Sequence, residues 1–303
     1  MFFKTKHDSN IQTNHVKQKN QWEISRDYWT KHNVTLHHSF NTPQESLEYF
    51  HWRNDQYRSY IEYMPVTGFN DKVVLDYGCG PGHDLIGFSI YSKTRRLIGV
   101  DVSASSLEEA TIRLKLHDID ADLILLDAVT NVLPFKAESV DHIHSSGVLH
   151  HVPDPQAILE EFRRILTRNG TINIMVYNYD SLWLHLYVAY QKRILERKYC
   201  ESDLRTAFSK TTDGENCPVA TVYRPCEFQA LAAKAGLECK FTGAAISMYE
   251  MSLLSLRYQA IMSPQLPKES RGFLLELKFD EFGYPFYRNS FAGVDGCYQL
   301  WKQ

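Results

Sequence analysis

Apolar residues along this chain follow two alternating rhythms. Short runs with few polar interruptions, "KVVLDY" (72–77), "RLIGVDV" (96–102), "ADLILLD" (121–127), "SVDHIHSSG" (139–147) and "TINIMVY" (171–177), predict strands. Between them apolar positions recur at three- and four-residue steps and predict helices. "HDLIGFSIYS" (83–92) is one. Ser105 opens a second, with Glu108 at capping-box spacing and Leu107, Ala110 and Leu114 on one face. Asp154 and Pro155 open a third, whose buried face is Ile158, Leu159, Phe162, Ile165 and Leu166 and whose stop is Gly170. Strands separated by helices in this order predict an α/β fold with a doubly wound, mostly parallel sheet.

The pattern changes at both ends. Residues 22–29 and 44–64 are helical by period, with Leu47, Phe50, Tyr57, Ile61 and Met64 on one face and Pro65 as a stop. Residues 1–66 are therefore expected to form a helical N-terminal cap and 67–180 the core. An insertion follows over 181–225, with a long helix from Ser181 to Lys198. The core resumes over 226–243, as a helix from Pro225 to Ala235, a stop at Gly236 and a strand "LECKFTG". A second insertion over 244–289 holds the hairpin "LLELKFDEFGYPFYR", and 290–303 supplies the last strand, "GVDGCYQLW". Cap and insertions are expected around the carboxyl edge of the sheet, where doubly wound folds bind ligands.

Composition narrows the partners. A net charge of −3 supplies no basic field for nucleic acid or anionic lipid. The six cysteines are scattered without C-x-x-C spacing, as expected of reduced thiols in a cytoplasmic protein. "MFFKTKHDSN" lacks the apolar centre of a signal peptide, and "SLWLHLYVAY" is too short to span a bilayer. The oligomeric state is not specified.

The most informative stretch is "VLDYGCGPGHD" (74–84). A strand runs into Gly78, Gly80 and Gly82 and then into a helix, so bare backbone is offered to a ligand at close range. A dinucleotide site wants G-x-G-x-x-G, but the third glycine of that spacing is replaced by His83. Asp76, just before the turn, would repel a pyrophosphate and suits an ammonium. Both features argue against a nicotinamide-dependent oxidoreductase. Asp101 ends the second strand about 20 residues beyond the glycines, where a ribose-binding carboxylate falls in such folds. Asp127 ends the third, placed for an adenine amino group. S-adenosylmethionine carries all three donors.

"VLDYGCGPG", "IGVDVS", "LLDAVTNVLPF", "VDHIHSSGVLHHVPDP" and "EFRRILTRNGTINIMVYN", in this order, resemble the class I S-adenosylmethionine-dependent methyltransferases, and among them the small-molecule "methyltransferase type 11" set that includes ubiquinone, menaquinone and sugar methyltransferases. The resemblance covers residues 70–180 strongly and the last strands weakly. It implies a Rossmann-like, seven-stranded sheet. It implies donor contacts from Asp76, Gly78, Gly80, Gly82, Asp101, Val102, Asp127, the backbone of Ala128, and Ser145, with S-adenosylhomocysteine as product. The acceptor it implies is a small molecule, a sugar or a quinone-like or polyketide-like metabolite methylated on oxygen. A protein that binds the donor without transferring methyl is left open by the sequence.

His150 and His151 follow the fourth strand, near where the methyl should point, and are the candidates for a general base. With His142 and His144, which share one face of that strand, they look like a metal cluster, but no acid or cysteine at ligand spacing completes the set, so no metal is expected. The Pro225–Cys226 pair sits where a helix starts, not where a cytosine methyltransferase carries its nucleophile. Tyr28, Trp29, Trp52, Tyr57 and Trp183 are candidates for an aromatic acceptor pocket under a lid.

Overall fold

The computed structural model describes residues 20–32, 39–127 and 131–303. Its strands are β1 (Tyr57–Arg58), β2 (Val73–Tyr77), β3 (Arg96–Asp101), β4 (Asp122–Leu125), β5 (Val140–Ser146), β6 (Leu166–Tyr177), β7 (Leu237–Ser247), β8 (Lys278–Phe279), β9 (Pro285–Tyr287), β10 (Ser290–Phe291) and β11 (Asp295–Lys302). One sheet takes the order β1-β7-β11-β6-β5-β2-β3-β4, with β11 antiparallel to both neighbours and β2 to β6 parallel where they pair. β2 is buried along its whole length, which is why its apolar residues run on without alternation. The chain reverses its direction of winding at β2, between β3 and β5. The carboxyl ends of these strands therefore open a crevice.

The expected seven strands are present, and β1 adds an eighth. The segment 44–64 is not one helix. It divides into α2 (Pro43–Asp55), β1 and α3 (Tyr60–Tyr63), after α1 (Gln21–Lys31). Ser59 adopts a left-handed φ of 65°, and Tyr57 and Arg58 pair with Ser247 and Ile246 of β7. Open backbone on the sheet edge thus outcompetes the helical period.

α4 (His83–Tyr91) follows the glycine turn, and α5 (Ala104–Leu116) follows β3. The cap of α5 is Ser103, whose Oγ accepts from the Ser106 N–H at 3.2 Å, rather than Ser105. Ser105 instead donates to the Thr30 carbonyl of α1. Asp154 caps α6 (Pro155–Ile165) as expected. That helix ends at Ile165, and Gly170 lies inside β6, where a Cβ would stand 2.6 Å from Leu166 Cδ1. Close approach, not helix termination, explains this glycine.

In the first insertion, the helix Trp183–Leu195 has the wide i→i+5 bonding of a π-helix, continued by the Glu196 N–H on the Gln191 carbonyl. Leu186 and Ala189 pack on one cluster with Phe273 and Leu274, while Leu184 and Val188 pack on another with Phe208 and Val222. It is buried between α7 (Leu204–Thr211) on one side and the second insertion on the other. α8 (Pro225–Lys234) precedes β7, and Gly236 turns the chain at φ +72°. β7 extends to Ser247, so the second insertion starts there and not at residue 244. It comprises α9 (Met248–Leu253), α10 (Arg257–Met262), α11 (Lys268–Glu276) and the small sheet β10-β9-β8. Among the described residues no helix is long and apolar enough to cross a membrane.

The cap is keyed onto the core by shape. Phe50 of α2 is buried against Gly87 of α4, where a Cβ would stand 2.7 Å from Phe50 Cε2 and Cζ. Gly87→Ala should therefore cost about 1–3 kcal/mol by overpacking. Denaturant unfolding would show this, and Phe50→Leu in the same chain should restore part of the loss.

Candidate functional site

The turn after β2 is held in a conformation that ordinary residues resist. Gly78, Gly80 and Gly82 have φ of +74°, +51° and +79°, and a Cβ on Gly78 would collide with the Val148 side chain. The Gly78 and Cys79 N–H groups donate to the Val100 carbonyl at 2.8 and 3.0 Å. Asp101 braces the same turn, accepting from Gly80 N–H on Oδ2 and from Ser103 N–H on Oδ1, both at 2.8 Å. Burial raises the pKa of Asp101, and the N–H groups of Ser103, Gly80 and Val102 oppose the rise.

This turn forms one wall of a cavity of about 660 Å³. Gly78, Gly80, Asp101 and Val102 line it, and nothing stands within 4 Å of where a Gly80 Cβ would be. The cavity continues past Ser146 and Gly147 to a second region bounded by Trp29, Tyr57, His151, Tyr177, Trp183 and Asp295. Trp52 also lines it, at 57% exposure. Tyr28 is not in the wall, and its hydroxyl donates to the Asp213 carbonyl.

Other expected contacts lie elsewhere. Asp76 is buried beneath the turn and does not line the cavity. Burial raises its pKa, and nearby His144 pulls it down. Ser145 is fully buried and donates to the Tyr77 carbonyl at 3.1 Å, so Ser146, its neighbour, is the one that reaches the cavity. Asp127 is exposed and outside the wall, which Leu126 joins instead. Ala128 lies outside the described residues.

Sequence reasoning missed Arg53 and Asp84. Arg53 reaches from α2 to Asp84 at 3.1 Å, and His144 Nε2 donates to the other Asp84 oxygen at 3.2 Å. Arg53 and Asp84 both line the cavity. Burial works to raise the pKa of Asp84, but Arg53 and His144 outweigh it and hold the carboxyl well below its usual range. The one signal was the acid directly after "GPGH". No local pattern could have pointed to an arginine so far back in the chain.

The histidines separate into different roles. His142 is buried, stacks on Phe69 at 4.0 Å and shares a hydrogen bond with Thr171 Oγ1. His150 stacks on Tyr177 at 3.7 Å, accepts from the Tyr177 N–H on Nδ1 and stays outside the wall. His151 faces the cavity. Its Nδ1–H donates to the Val219 carbonyl at 2.7 Å, which leaves Nε2 as an acceptor 3.8 Å from Asp213 Oδ2. Burial lowers its pKa against the pull of Asp213, keeping the ring neutral.

A glycine turn braced by a carboxylate, at the switch point of a sheet whose last strand is antiparallel, is the arrangement expected above from the resemblance to methyltransferases. Among known proteins, the model of the methyltransferase domain family matches residues 69–214 of this chain. A 37.1 kDa protein carried on a transposon of Streptomyces fradiae is 34% identical over 131 residues, 42% of this chain and 37% of that one. A ubiquinone biosynthesis O-methyltransferase of Histophilus somni is 27% identical over 133 residues, 43% of this chain and 55% of the enzyme. The match thus spans less than two thirds of either relative. A Thermotoga maritima crystal structure described as a methyltransferase, possibly acting on histamine nitrogen, superposes with a TM-score of 0.52 at 16% identity. It covers 94% of this chain and all (100%) of its own, and shows the shared fold.

Two buried carboxyls, Asp295 in the cavity wall and Glu250 outside it, make stability depend on pH. Burial pushes Asp295 up to about 7 and Glu250 up to about 8. Each holds its proton more tightly folded than unfolded, so its contribution to stability is present at low pH and lost as pH rises through these values. Neutral buried histidines work in the opposite sense, but only below about pH 6.5. The melting temperature should therefore fall between pH 6.5 and 8.5, and Asp295→Asn should flatten the fall.

Proposed function

We propose that the protein transfers a methyl group from S-adenosylmethionine to an oxygen of a small molecule, such as a sugar or a quinone-like or polyketide-like metabolite. The observation that carries this is the continuity of one cavity from the glycine turn to an aromatic chamber containing His151. A site that only held the donor would have that chamber filled. The ubiquinone O-methyltransferase relatives favour oxygen and a small acceptor. Free cysteines throughout suit a reducing cytoplasm.

The chain's own residues fit the donor. The space at Gly80 admits close approach of a ligand to backbone, and Asp101 stands beside it as an acceptor for ribose hydroxyls. Arg53, at the cavity wall, is the cation suited to a methionyl carboxylate. When bound, S-adenosylmethionine supplies a methyl already activated on sulfonium. The protein then has to orient, exclude water and manage the acceptor's proton. Aromatic side chains from the cap and both insertions do the first two. His151, neutral and with Nε2 toward the cavity side, is the catalytic group at the acceptor oxygen. His150 supports the end of β6 from within the core.

Titration calorimetry with S-adenosylhomocysteine should give saturable, micromolar binding, and its absence in folded protein would remove the reading. Asp101→Ala should weaken that binding by about 1–3 kcal/mol through lost charge-assisted hydrogen bonds. His151→Ala should leave product binding intact and slow transfer once an acceptor is found by screening. His150→Ala should chiefly lower the melting temperature.

A further inference from the structure

We propose that His151, Asp213 and Cys217 form a binding site for a divalent transition metal of the zinc class, at the acceptor end of the cavity. Sequence pattern draws attention to His142, His144, His150 and His151 instead, and the fold disperses them. Instead two separate loops converge. His151 comes from the short turn after β5, and Asp213 and Cys217 come from the loop after α7. One ligand atom from each lies within 4.8 Å of the other two.

The hydrogen bonds around His151 and Asp213 hold both groups toward a common gap. His151 Nδ1–H is committed to the Val219 carbonyl, which fixes the ring and directs the Nε2 lone pair outward. Asp213 Oδ1 accepts from the Tyr177 hydroxyl at 2.8 Å. Its Oδ2 is buried with no hydrogen-bond partner among the described residues, and faces Nε2 across 3.8 Å. Two lone pairs turned on each other in a buried place repel unless something positive stands between them. The gap exceeds a hydrogen bond. It approaches the roughly 3.3 Å edge of a tetrahedron built on metal–nitrogen and metal–oxygen bonds of about 2.0–2.2 Å. Cys217 is buried beside them, with its Sγ 3.9 Å from His151 Nδ1 and its thiol donating to the Val219 carbonyl at 3.3 Å. Burial and Asp213 push that thiol up to about 11, so a metal would bind it as thiolate by displacing its proton and turning Sγ from Val219 toward the gap.

Three protein ligands with a fourth position open are the arrangement of a catalytic rather than a structural ion. The opening is the cavity, since His151 and Asp213 both line it. The site stands on its own ligand set. Its role rests on the methyl-transfer reading above. There an ion would hold the acceptor hydroxyl and lower its pKa. The hydroxyl proton would leave to solvent as the acceptor binds the ion, the oxygen pair would form the new C–O bond, and the C–S bonding pair would return to sulfur. On this account His151 acts at the acceptor oxygen through the ion it holds, and the water-free chamber needs no base at the moment of transfer.

The test needs no acceptor. The 303-residue chain purified without chelators should retain close to one equivalent of zinc by elemental analysis. Titration of metal-stripped protein with Co²⁺ should produce thiolate-to-cobalt charge-transfer absorption. Cys217→Ser should abolish that absorption, and Asp213→Asn should lower metal content at least tenfold, while binding of S-adenosylhomocysteine persists in both. Tyr177→Phe, which removes the hydrogen bond orienting Asp213, should weaken metal affinity by about 10–100-fold. Wild-type protein that binds S-adenosylhomocysteine but holds only trace metal and gives no cobalt–thiolate band would overturn the metal site and leave the methyltransferase reading standing. Loss of S-adenosylhomocysteine binding with the metal retained would do the reverse.

Discussion

The buried charge chain Arg53–Asp84–His144 is the contact on which both cap and site depend. A carboxylate this deep cannot stand alone, because its lost hydration is worth several kcal/mol. Asp84 therefore needs one partner from the sheet and one from the cap. α2 is drawn onto α4 by this requirement, and Phe50 then finds the space over Gly87. The N-terminal segment is thus electrostatically obliged to sit where it also walls the cavity beside the glycine turn. Apolar packing alone would bring the cap to the core but would not select this register.

A second constraint acts at the turn. Asp101 spends both its oxygens on backbone N–H groups of the turn and of the following helix. It fixes the shape of the loop before any ligand arrives, and Asp101 itself lines the cavity. Organisation of this kind reduces what must be ordered on binding. At the other end Tyr177 plays a comparable part, stacking on His150 while its hydroxyl orients Asp213.

The core was legible because its signals are local. β2, β3, β5 and their helices follow from apolar runs, caps and glycines that lie within a few residues of each other. The turn and Asp101 were legible for the same reason. What escaped depends on distant pairings. β1 forms because β7 offers an open edge, which outweighs a good helical period over 44–64. Arg53 matters only through Asp84, and Asp213 only through His151. The histidines show the limit most plainly. Adjacent in sequence, His150 and His151 diverge because the turn directs one ring into the core against Tyr177 and the other toward the cavity. Asp76 and Ser145, which match donor motifs by position, underpin the turn and strand end from below.

The short strand β1 also has a meaning for solubility. β7 would otherwise present unpaired N–H and C=O groups at its carboxyl half, an invitation to pairing with another chain. Tyr57 and Arg58 take up two of those positions, and Tyr63 of α3 lies against Gly243 where the edge continues. The segment that lines the cavity is therefore also a guard against edge-to-edge aggregation. Shortening the chain from its N-terminus past Arg58 would expose sticky backbone as well as an open cavity, so the two losses would arrive together.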